Sequence, residues 1–183
     1  MAKVIAGMVM SLDGFVSDRN GDLSRLYPDF AAMQASAAVQ EAIASTGAVV
    51  MGRRSYEMGD DYSDYEFQAP IFVLTHEPPD EPAKGQNDNL SFTFVTDGIE
   101  RTIALAKSAA GEKDVTMIGG PNTICQALAA GLIDELHLEV RGVLLGDGLA
   151  LFGRSDRPPT ELDLIDISQS PGIIHLRYRV LPS

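Results

Sequence analysis

Two glycine-containing turns carry the residues of this sequence that are best suited to bind an anion. The first lies in residues 115–123, Val-Thr-Met-Ile-Gly-Gly-Pro-Asn-Thr, where an apolar strand ends in two glycines just before a helix begins. Glycines let a ligand approach the backbone, and the first turn of a helix presents unpaired N–H groups at the positive end of its dipole. These N–H groups could donate hydrogen bonds to a pyrophosphate. The alternative is that Gly-Gly-Pro only forms a tight turn between the strand and the helix.

The second turn lies in residues 49–57, Val-Val-Met-Gly-Arg-Arg-Ser-Tyr-Glu, where a strand again ends at a glycine. The guanidinium groups of Arg53 and Arg54 suit phosphate recognition, and the Ser55 hydroxyl offers a further hydrogen bond. The alternative is that both arginines are solvated charges at the end of a strand. Neither turn by itself is enough to identify a phosphate-binding site.

The strand order suggested by the sequence brings these turns to one place. Residues 71–74 form a third apolar strand, which is followed by Thr75 and His76. In open α/β folds, ligands bind at the carboxyl edge of the parallel strands, where all three of these segments would meet. We therefore predict a nucleotide site at this edge, with Thr75 and His76 near the adenosine end, although His76 can also be an ordinary exposed loop residue.

Charge and composition limit the classes of partner. The chain has 183 residues and a formal net charge of −12, which disfavours nucleic acid as a partner and means that an anionic cofactor needs local cationic groups. No apolar run approaches the roughly 18 residues of a membrane span. The three histidines and one cysteine are too scattered to suggest a metal site. Since Cys125 has no cysteine to pair with, we expect a cytoplasmic protein.

The chain alternates short apolar runs with helical stretches over one domain, residues 1–183. The pattern predicts strands at residues 4–10, 49–51, 71–74, 92–95, 115–118 and 135–140, the first of these being preferred to a signal peptide, and a terminal hairpin of 162–167 with 173–181. It predicts helices at residues 37–46 after an N-cap at Ser36, at 99–110 with Thr96 and Asp97 as caps, and at 121–130; residues 30–35 form a separate helical turn. This order favours one mixed sheet with helices on both faces.

The ordered set of motifs resembles the dihydrofolate reductase superfamily, and most closely its branch with the C-terminal reductase domain of bacterial riboflavin biosynthesis. The resemblance covers nearly the whole chain. It rests on Ser11-Leu12-Asp13-Gly14, residues 51–57, Leu74-Thr75, Ile118-Gly119-Gly120, Leu144-Leu145-Gly146-Asp147-Gly148 and Leu151-Phe152. It implies a three-layer α/β fold whose mixed, mostly parallel sheet has eight strands, NADPH as hydride donor, and commonly a homodimer.

The same resemblance assigns functions to individual residues. Those that would hold the cofactor are Gly52, Arg53, Arg54, Ser55, Thr75, His76, Gly119, Gly120, Pro121, Asn122 and Thr123. Asp13, Gly14 and Asp147 would border the substrate, although both Asp-Gly pairs are also strong turn formers.

Hydride transfer also needs a group that supplies or orients a proton. Residues 26–30, Leu-Tyr-Pro-Asp-Phe, resemble the segment that carries the acidic residue of folate enzymes, which makes Asp29 the candidate. An aspartate after proline at a helix start can instead be a cap. The long interval from Asp29 to Gly52 and the absence of tryptophan argue against dihydrofolate as the substrate.

Two functions from different classes remain open. The first is an NADPH-dependent reductase that acts on a small heterocycle, either a pteridine or a ribosylaminopyrimidine. The second is an NADP-binding dimeric protein of the same fold without efficient catalysis, in which both turns would also be present.

Overall fold

The computed structural model describes residues 2–153 and 159–182 of the chain. Along these residues, strands and helices follow one another in an order close to the predicted one. The strands are β1 (Val4–Ser11), β2 (Phe15–Ser17), β3 (Thr46–Gly52), β4 (Ile71–Leu74), β5 (Phe92–Val95), β6 (Asp114–Ile118), β7 (Glu135–Arg141), β8 (Leu149–Ala150), β9 (Leu162–Ser170) and β10 (Ile173–Val180). The helices are α1 (Phe30–Gln34), α2 (Ala37–Ser45), α3 (Arg53–Tyr56), α4 (Ile99–Ala110) and α5 (Pro121–Ala129).

Eight strands form one sheet in the order β5-β4-β3-β6-β1-β7-β10-β9. The strands from β5 to β7 are all parallel to their neighbours, whereas β10 is antiparallel to both β7 and β9. The predicted mixed, mostly parallel sheet with a terminal antiparallel hairpin is therefore confirmed. Strands β2 and β8 were not predicted; they pair as a separate small sheet beside the end of β1.

One face of the sheet is packed against α4 and α5. Alternate residues of the central strands, such as Val50 and Met117, are fully buried there because successive side chains of a strand point to opposite faces. The side of α4 that faces the sheet carries its buried residues, among them Ile99, Ile103 and Ala106.

The predicted caps of α4 at Thr96 and Asp97 are wrong. The N-cap is Gly98, with a φ of 91°, and no side chain caps the helix. Because the left-handed backbone at Gly98 turns the chain before the helix begins, the two preceding side chains lie outside the capping position. The predicted N-cap of α2 is confirmed, since Ser36 Oγ accepts a hydrogen bond from the Val39 N–H.

The opposite face of the sheet is divided into two halves. Over β3, β4 and β5 it is closed by an aromatic cluster that includes Tyr56 of α3, Tyr62 and Phe67. Over β6, β1, β7 and β10, helix α2 leaves part of the sheet uncovered, and a cleft runs there. The predicted helices on both faces are therefore confirmed. In the part of the chain that the structure describes, no helix combines the length and the apolar character that crossing a bilayer requires.

Candidate active site

The central feature of the site is the boundary between the adjacent strands β3 and β6. From β3 the chain enters α3, whose Tyr56 packs on the aromatic face. From β6 it enters α5, whose Ile124 packs on the opposite face. A crevice opens at the carboxyl edge of an open sheet where neighbouring connections leave to opposite faces in this way, and ligands bind in such crevices.

The two glycine turns interlock at this crevice. A Cβ on Gly52 would lie 2.5 Å from Thr123 Oγ1, and a Cβ on Gly119 would lie 2.6 Å from Ser55 Oγ. Gly119 also has a φ of 59°, where side chains are strained. The Gly120 N–H donates to Ser55 Oγ at 3.0 Å. A side chain at either glycine would displace a hydroxyl group of the other turn.

The beginning of α5 faces the crevice with unpaired hydrogen-bond donors. Its N-cap is Gly120, which offers no side-chain cap, and Pro121 occupies the first turn. The N–H groups of Asn122 and Thr123 therefore remain available to an anion, in the positive field of the helix dipole. The Ser55 hydroxyl, which accepts from Gly120, keeps its own proton for donation.

The two arginines of the first turn differ in their surroundings. Arg53 Nε is 2.6 Å from Glu57 Oε1, and its guanidinium also donates to the Glu77 carbonyl at 3.1 Å. The hydrogen bond and the charge of Glu57 raise the pKa of Arg53. Among the described residues the exposed Arg54 side chain has no hydrogen bond or ion pair, so its charge is the less compensated of the two.

Thr75 and His76 lie where β4 ends and line the same cleft. The Thr75 hydroxyl donates to the Glu77 carbonyl at 2.7 Å and accepts from the Glu77 N–H at 3.2 Å. The Thr75 hydroxyl is therefore already hydrogen-bonded within the turn that follows β4. Thr96 and Gly98, which follow β5, also line the cleft, although neither was predicted as a residue of the site.

From the crevice the cleft continues over the open half of the sheet, with a volume of about 1660 Å³. That exceeds the roughly 300–1,000 Å³ that hold one drug-sized ligand, so a dinucleotide and a second small molecule can share it. Gly7 and Val9 of β1 form part of the floor. Over Gly7 the floor is not filled by protein, because the nearest atom to a Cβ there would be the His137 carbonyl oxygen at 4.0 Å.

The wall of the cleft beyond β1 is polar. Glu135 Oε1 accepts from Lys3 Nζ at 2.7 Å, and its Oε2 lies 3.0 Å from His137 Nε2. Burial alone would raise the pKa of Glu135, but the hydrogen bonds from Lys3 and His137 outweigh it and lower that pKa. Burial lowers the pKa of His137. Across the cleft, Glu41 of α2 pairs with Arg177 of β10 at 2.8 Å.

Glu139 is the carboxylate of this wall with the fewest partners. Its Oε1 lies 3.6 Å from His175 Nδ1, and its Oε2 is buried without a hydrogen-bond partner among the described residues. Burial raises the pKa of Glu139, and the nearby His175 only partly opposes this. Burial and the charges of Glu139 and Glu66 raise the pKa of Tyr27, which also lines the cleft, to about 12.

Asp29, the candidate proton group, lies at the start of α1 and has a structural role there. Its carboxylate accepts from the Ala32 N–H at 2.9 Å and caps α1. It does not line the cleft, whereas its neighbours Tyr27 and Phe30 do. The geometry therefore favours the alternative that the sequence left open, a helix cap.

Asp13, Gly14 and Asp147, the predicted substrate-binding residues, do not line the cleft, although Val16 and Leu149, near them in the chain, do. The Asp13 carboxylate accepts from Ser11 Oγ and from the N–H groups of Leu145 and Gly146. The Ser11 hydrogen bond is the main reason that the pKa of Asp13 is lowered. This side chain ties the turn after β1 to the loop before β8. Asp147 is exposed, and its Oδ1 accepts from the Gly148 N–H.

The residues of the floor and of the polar wall belong to no recognisable motif and were not predicted, namely Gly7, Tyr27, Glu139 and His175. A signal was present in the strict alternation of Glu135, His137 and Glu139. In a sheet covered by helices, such polar positions face either solvent or a cavity, and only the three-dimensional fold distinguishes the two.

Two comparisons with known sequences relate this chain to a protein family and to a bacterial relative. The profile of the RibD C-terminal domain matches residues 2–176. The uncharacterized protein YyaP of Bacillus subtilis is 25% identical to this chain over 157 residues, which are 82% of this chain and 80% of that protein.

Solved structures share the fold. A protein from Shewanella sp. PV-4, described provisionally as a riboflavin biosynthesis protein, superimposes with a TM-score of 0.81 at 24% identity over 98% of this chain and 99% of that one. Dihydrofolate reductase from Enterococcus faecalis, in complex with NADP(H), superimposes with a TM-score of 0.63 at 17% identity over 97% of this chain and 96% of that one.

The raised pKa of Glu139 predicts how stability depends on pH. A carboxyl group with a raised pKa binds its proton more tightly in the folded chain than in the unfolded chain. Its contribution to the free energy of unfolding is therefore most favourable at low pH, and it decreases as the pH rises from 4.5 through the pKa of the folded state. We therefore expect Glu139→Gln to gain free energy of unfolding relative to the wild type as the pH rises above 4.5, measured by urea denaturation at a series of pH values. A difference that is constant or shrinks with rising pH would contradict this assignment.

Proposed function

Because this chain belongs to the RibD C-terminal domain family, we propose that it is an NADPH-dependent reductase of a small planar heterocycle. The substrate class is the one handled in riboflavin synthesis, a ribosylaminopyrimidine, or else a pteridine. The observation that carries the proposal is the interlocked pair of glycine turns beside the open tip of α5. The dihydrofolate reductase neighbour, which is a complex with NADP(H), supports the choice of cofactor.

The residues present fit a dinucleotide in both shape and charge. Gly52 and Gly119 leave the backbone of the crevice accessible, and a side chain at either would collide with the other turn. Arg54 and the N–H groups of α5 provide the local positive potential that an anion needs in a chain of net charge −12. The residues that would hold the cofactor are Gly52, Arg53, Arg54, Ser55, Thr75, His76, Gly119, Gly120, Pro121, Asn122 and Thr123.

NADPH, when bound, supplies the hydride. The residues of the chain would contribute by positioning the cofactor and the substrate. The tip of α5, Ser55 and Arg54 would fix the phosphates, and the open floor over Gly7 would accept a flat ring. Asp13 would hold the loop before β8 at the mouth of the cleft and thereby limit the entry of water.

The rival function is an NADP-binding dimeric protein of the same fold without efficient catalysis. A titration with NADPH and NADP⁺, followed by NADPH oxidation with ribosylaminopyrimidines and dihydropteridines, separates the two. We expect NADPH binding and substrate-dependent oxidation with a member of one class. Tight binding without turnover on any of these compounds would favour the rival, and absence of binding would reject both.

The first turn is tested by removing its charge. We expect Arg53→Ala/Arg54→Ala to weaken NADP⁺ binding by about 2–4 kcal/mol, because two charge-assisted contacts to phosphate are lost. Arg54→Ala alone should account for the larger share, since Glu57 already neutralises Arg53. Isothermal titration calorimetry measures the effect.

A matched control changes the net charge equally but away from the cleft. Lys107→Ala/Lys113→Ala removes two exposed cations near the end of α4 and the start of β6, and its affinity for NADP⁺ should stay close to that of the wild type. Equal weakening in both double variants would mean that overall charge, and not the turn, determines binding.

We also propose that a second copy of the chain covers β9. This edge strand pairs only with β10 among the described strands, and it exposes 49% of Leu164, 42% of Ile165 and 60% of Ile167. An exposed apolar edge strand is a template for pairing with another chain. The homodimer implied by the sequence resemblance would remove this exposure.

A charge on β9 should therefore disrupt the dimer. We expect the wild type to elute as a dimer in size-exclusion chromatography with light scattering, and Ile167→Lys to shift toward the monomer. Leu144→Lys, which places the same charge at an exposed apolar residue outside β9, should remain dimeric. A monomeric wild type, or a dimeric Ile167→Lys variant, would contradict the proposal.

A further inference from the structure

Helices α1 and α2 border the cleft but bury no side chain of their own. Each of α3, α4 and α5 has at least one buried residue, whereas α1 and α2 have none. Every residue from Tyr27 to Ser45 is at least partly exposed, and this segment lies between two buried residues, Leu26 and Thr46. A segment with so little burial between two fixed ends can open locally while the rest of the chain stays folded.

The side of this segment that faces the cleft is apolar. Phe30, Met33, Val39 and Ala42 line the cleft opposite Ile5 of β1. Phe30 is 48% exposed. Apolar side chains that border a cleft gain burial when a flat molecule lies against them. A bound molecule would therefore draw the segment toward the floor of the cleft.

The C-terminal end of α2 is firmly attached to the sheet. Thr46 continues the chain from α2 directly into β3, and its Oγ1 lies 2.6 Å from Thr116 Oγ1 and donates to the Ala42 carbonyl at 2.6 Å. Ile43 packs against the aromatic cluster. Because this end is held, any movement of α2 would be largest at its beginning and in α1.

One ion pair joins α2 to the far side of the cleft. Arg177 Nη2 of β10 donates to Glu41 Oε2 at 2.8 Å, and this hydrogen bond lowers the pKa of Glu41. Among the described residues, no other ion pair or side-chain hydrogen bond links α2 to a strand, apart from those of Thr46, which follows it. The hydrogen bond from Gln34 Nε2 of α1 to Glu66 Oε2 is long, at 3.4 Å.

We propose that residues 27–41 form a lid over the floor at Gly7 and that the ion pair of Glu41 with Arg177 is its latch. When the pair breaks, the lid rotates about residues 42–46 and opens the cleft on the side of β10. When the pair forms, the lid confines the molecule that lies on the floor. The identity of that molecule as the substrate of a reductase rests on the proposed function, whereas the latch itself does not.

The strength of this ion pair suits a latch that opens repeatedly. The Glu41 side chain is 67% exposed and that of Arg177 is 30% exposed. Ion pairs open to solvent contribute little, because water and salt screen the two charges. Breaking the pair should therefore change the opening equilibrium of the lid by a small factor and leave the fold intact.

Hydrogen exchange of the full chain without ligand, followed by mass spectrometry, measures this opening. We expect Glu41→Gln and Arg177→Gln each to speed exchange of the lid amides about two- to fivefold, the factor that an exposed ion pair contributes. Glu41→Gln/Arg177→Gln should exchange no faster than either single variant, because each one already breaks the same pair.

Arg179→Gln is the matched control. It makes the same substitution two residues along β10 and breaks the pair of Arg179 with Asp163, neither of which lines the cleft. Exchange of the lid amides should stay at the wild-type rate in this variant.

Salt provides a second measurement on the same proteins. Raising NaCl from about 0.05 M to about 0.5 M should speed exchange of the lid in the wild type and leave it unchanged in Arg177→Gln. Wild-type exchange in both single variants, additive effects in the double variant, or an equal increase in Arg179→Gln would overturn the proposal. Since these measurements contain no ligand, failure of NADP⁺ to bind would reject the redox function and leave the latch in place.

Discussion

The reciprocal contact of two glycine turns at the β3–β6 boundary is the constraint on which the site depends. Gly52 makes room for Thr123, and Gly119 makes room for Ser55. The connections after β3 and β6 leave to opposite faces of the sheet, so their first residues must pass each other closely at its edge. The same close passage opens the backbone to a ligand and directs the first N–H groups of α5 into the crevice. Packing and anion recognition therefore have a common cause.

The second organising feature is the unequal covering of the sheet. The face under α4 and α5 is packed with buried apolar side chains from β5 to β7. On the opposite face, the aromatic cluster fills only the half over β3, β4 and β5. Polar side chains of β7 and β10 on the remaining half are partly paired with neighbouring segments, Glu135 with Lys3 before β1 and Arg177 with Glu41 of α2. A cleft bordered by an apolar floor and a polar wall results, and it is continuous with the crevice.

Most of the fold was predictable because apolar runs and turn residues identify strands and helices directly. Residues 71–74 and 92–95 were predicted with the bounds observed for β4 and β5. The strands β2 and β8 were missed because three and two residues are too short to show a period. The caps of α4 were assigned to Thr96 and Asp97 by residue type, whereas backbone geometry at Gly98 decides the helix start.

The site was predictable where local sequence determines local structure, and less so where distant segments meet. The residues of both glycine turns were identified because each turn is continuous in the chain, and the structure brings them together. Asp29 was chosen by its position relative to a motif, but its carboxylate caps α1. Glu139 was overlooked, since alternation along β7 shows that a face is polar but not that this face lines a cleft.

If the two turns together bind the phosphates of a dinucleotide, an NMR titration with NADP⁺ will show it in the backbone amide chemical shifts. We expect the largest shifts at the amides of Arg53, Arg54 and Ser55 and, at the same ligand concentration, at those of Gly119, Gly120, Asn122 and Thr123. Shifts confined to one turn, shifts located elsewhere, or an unchanged spectrum at saturating NADP⁺ would contradict it.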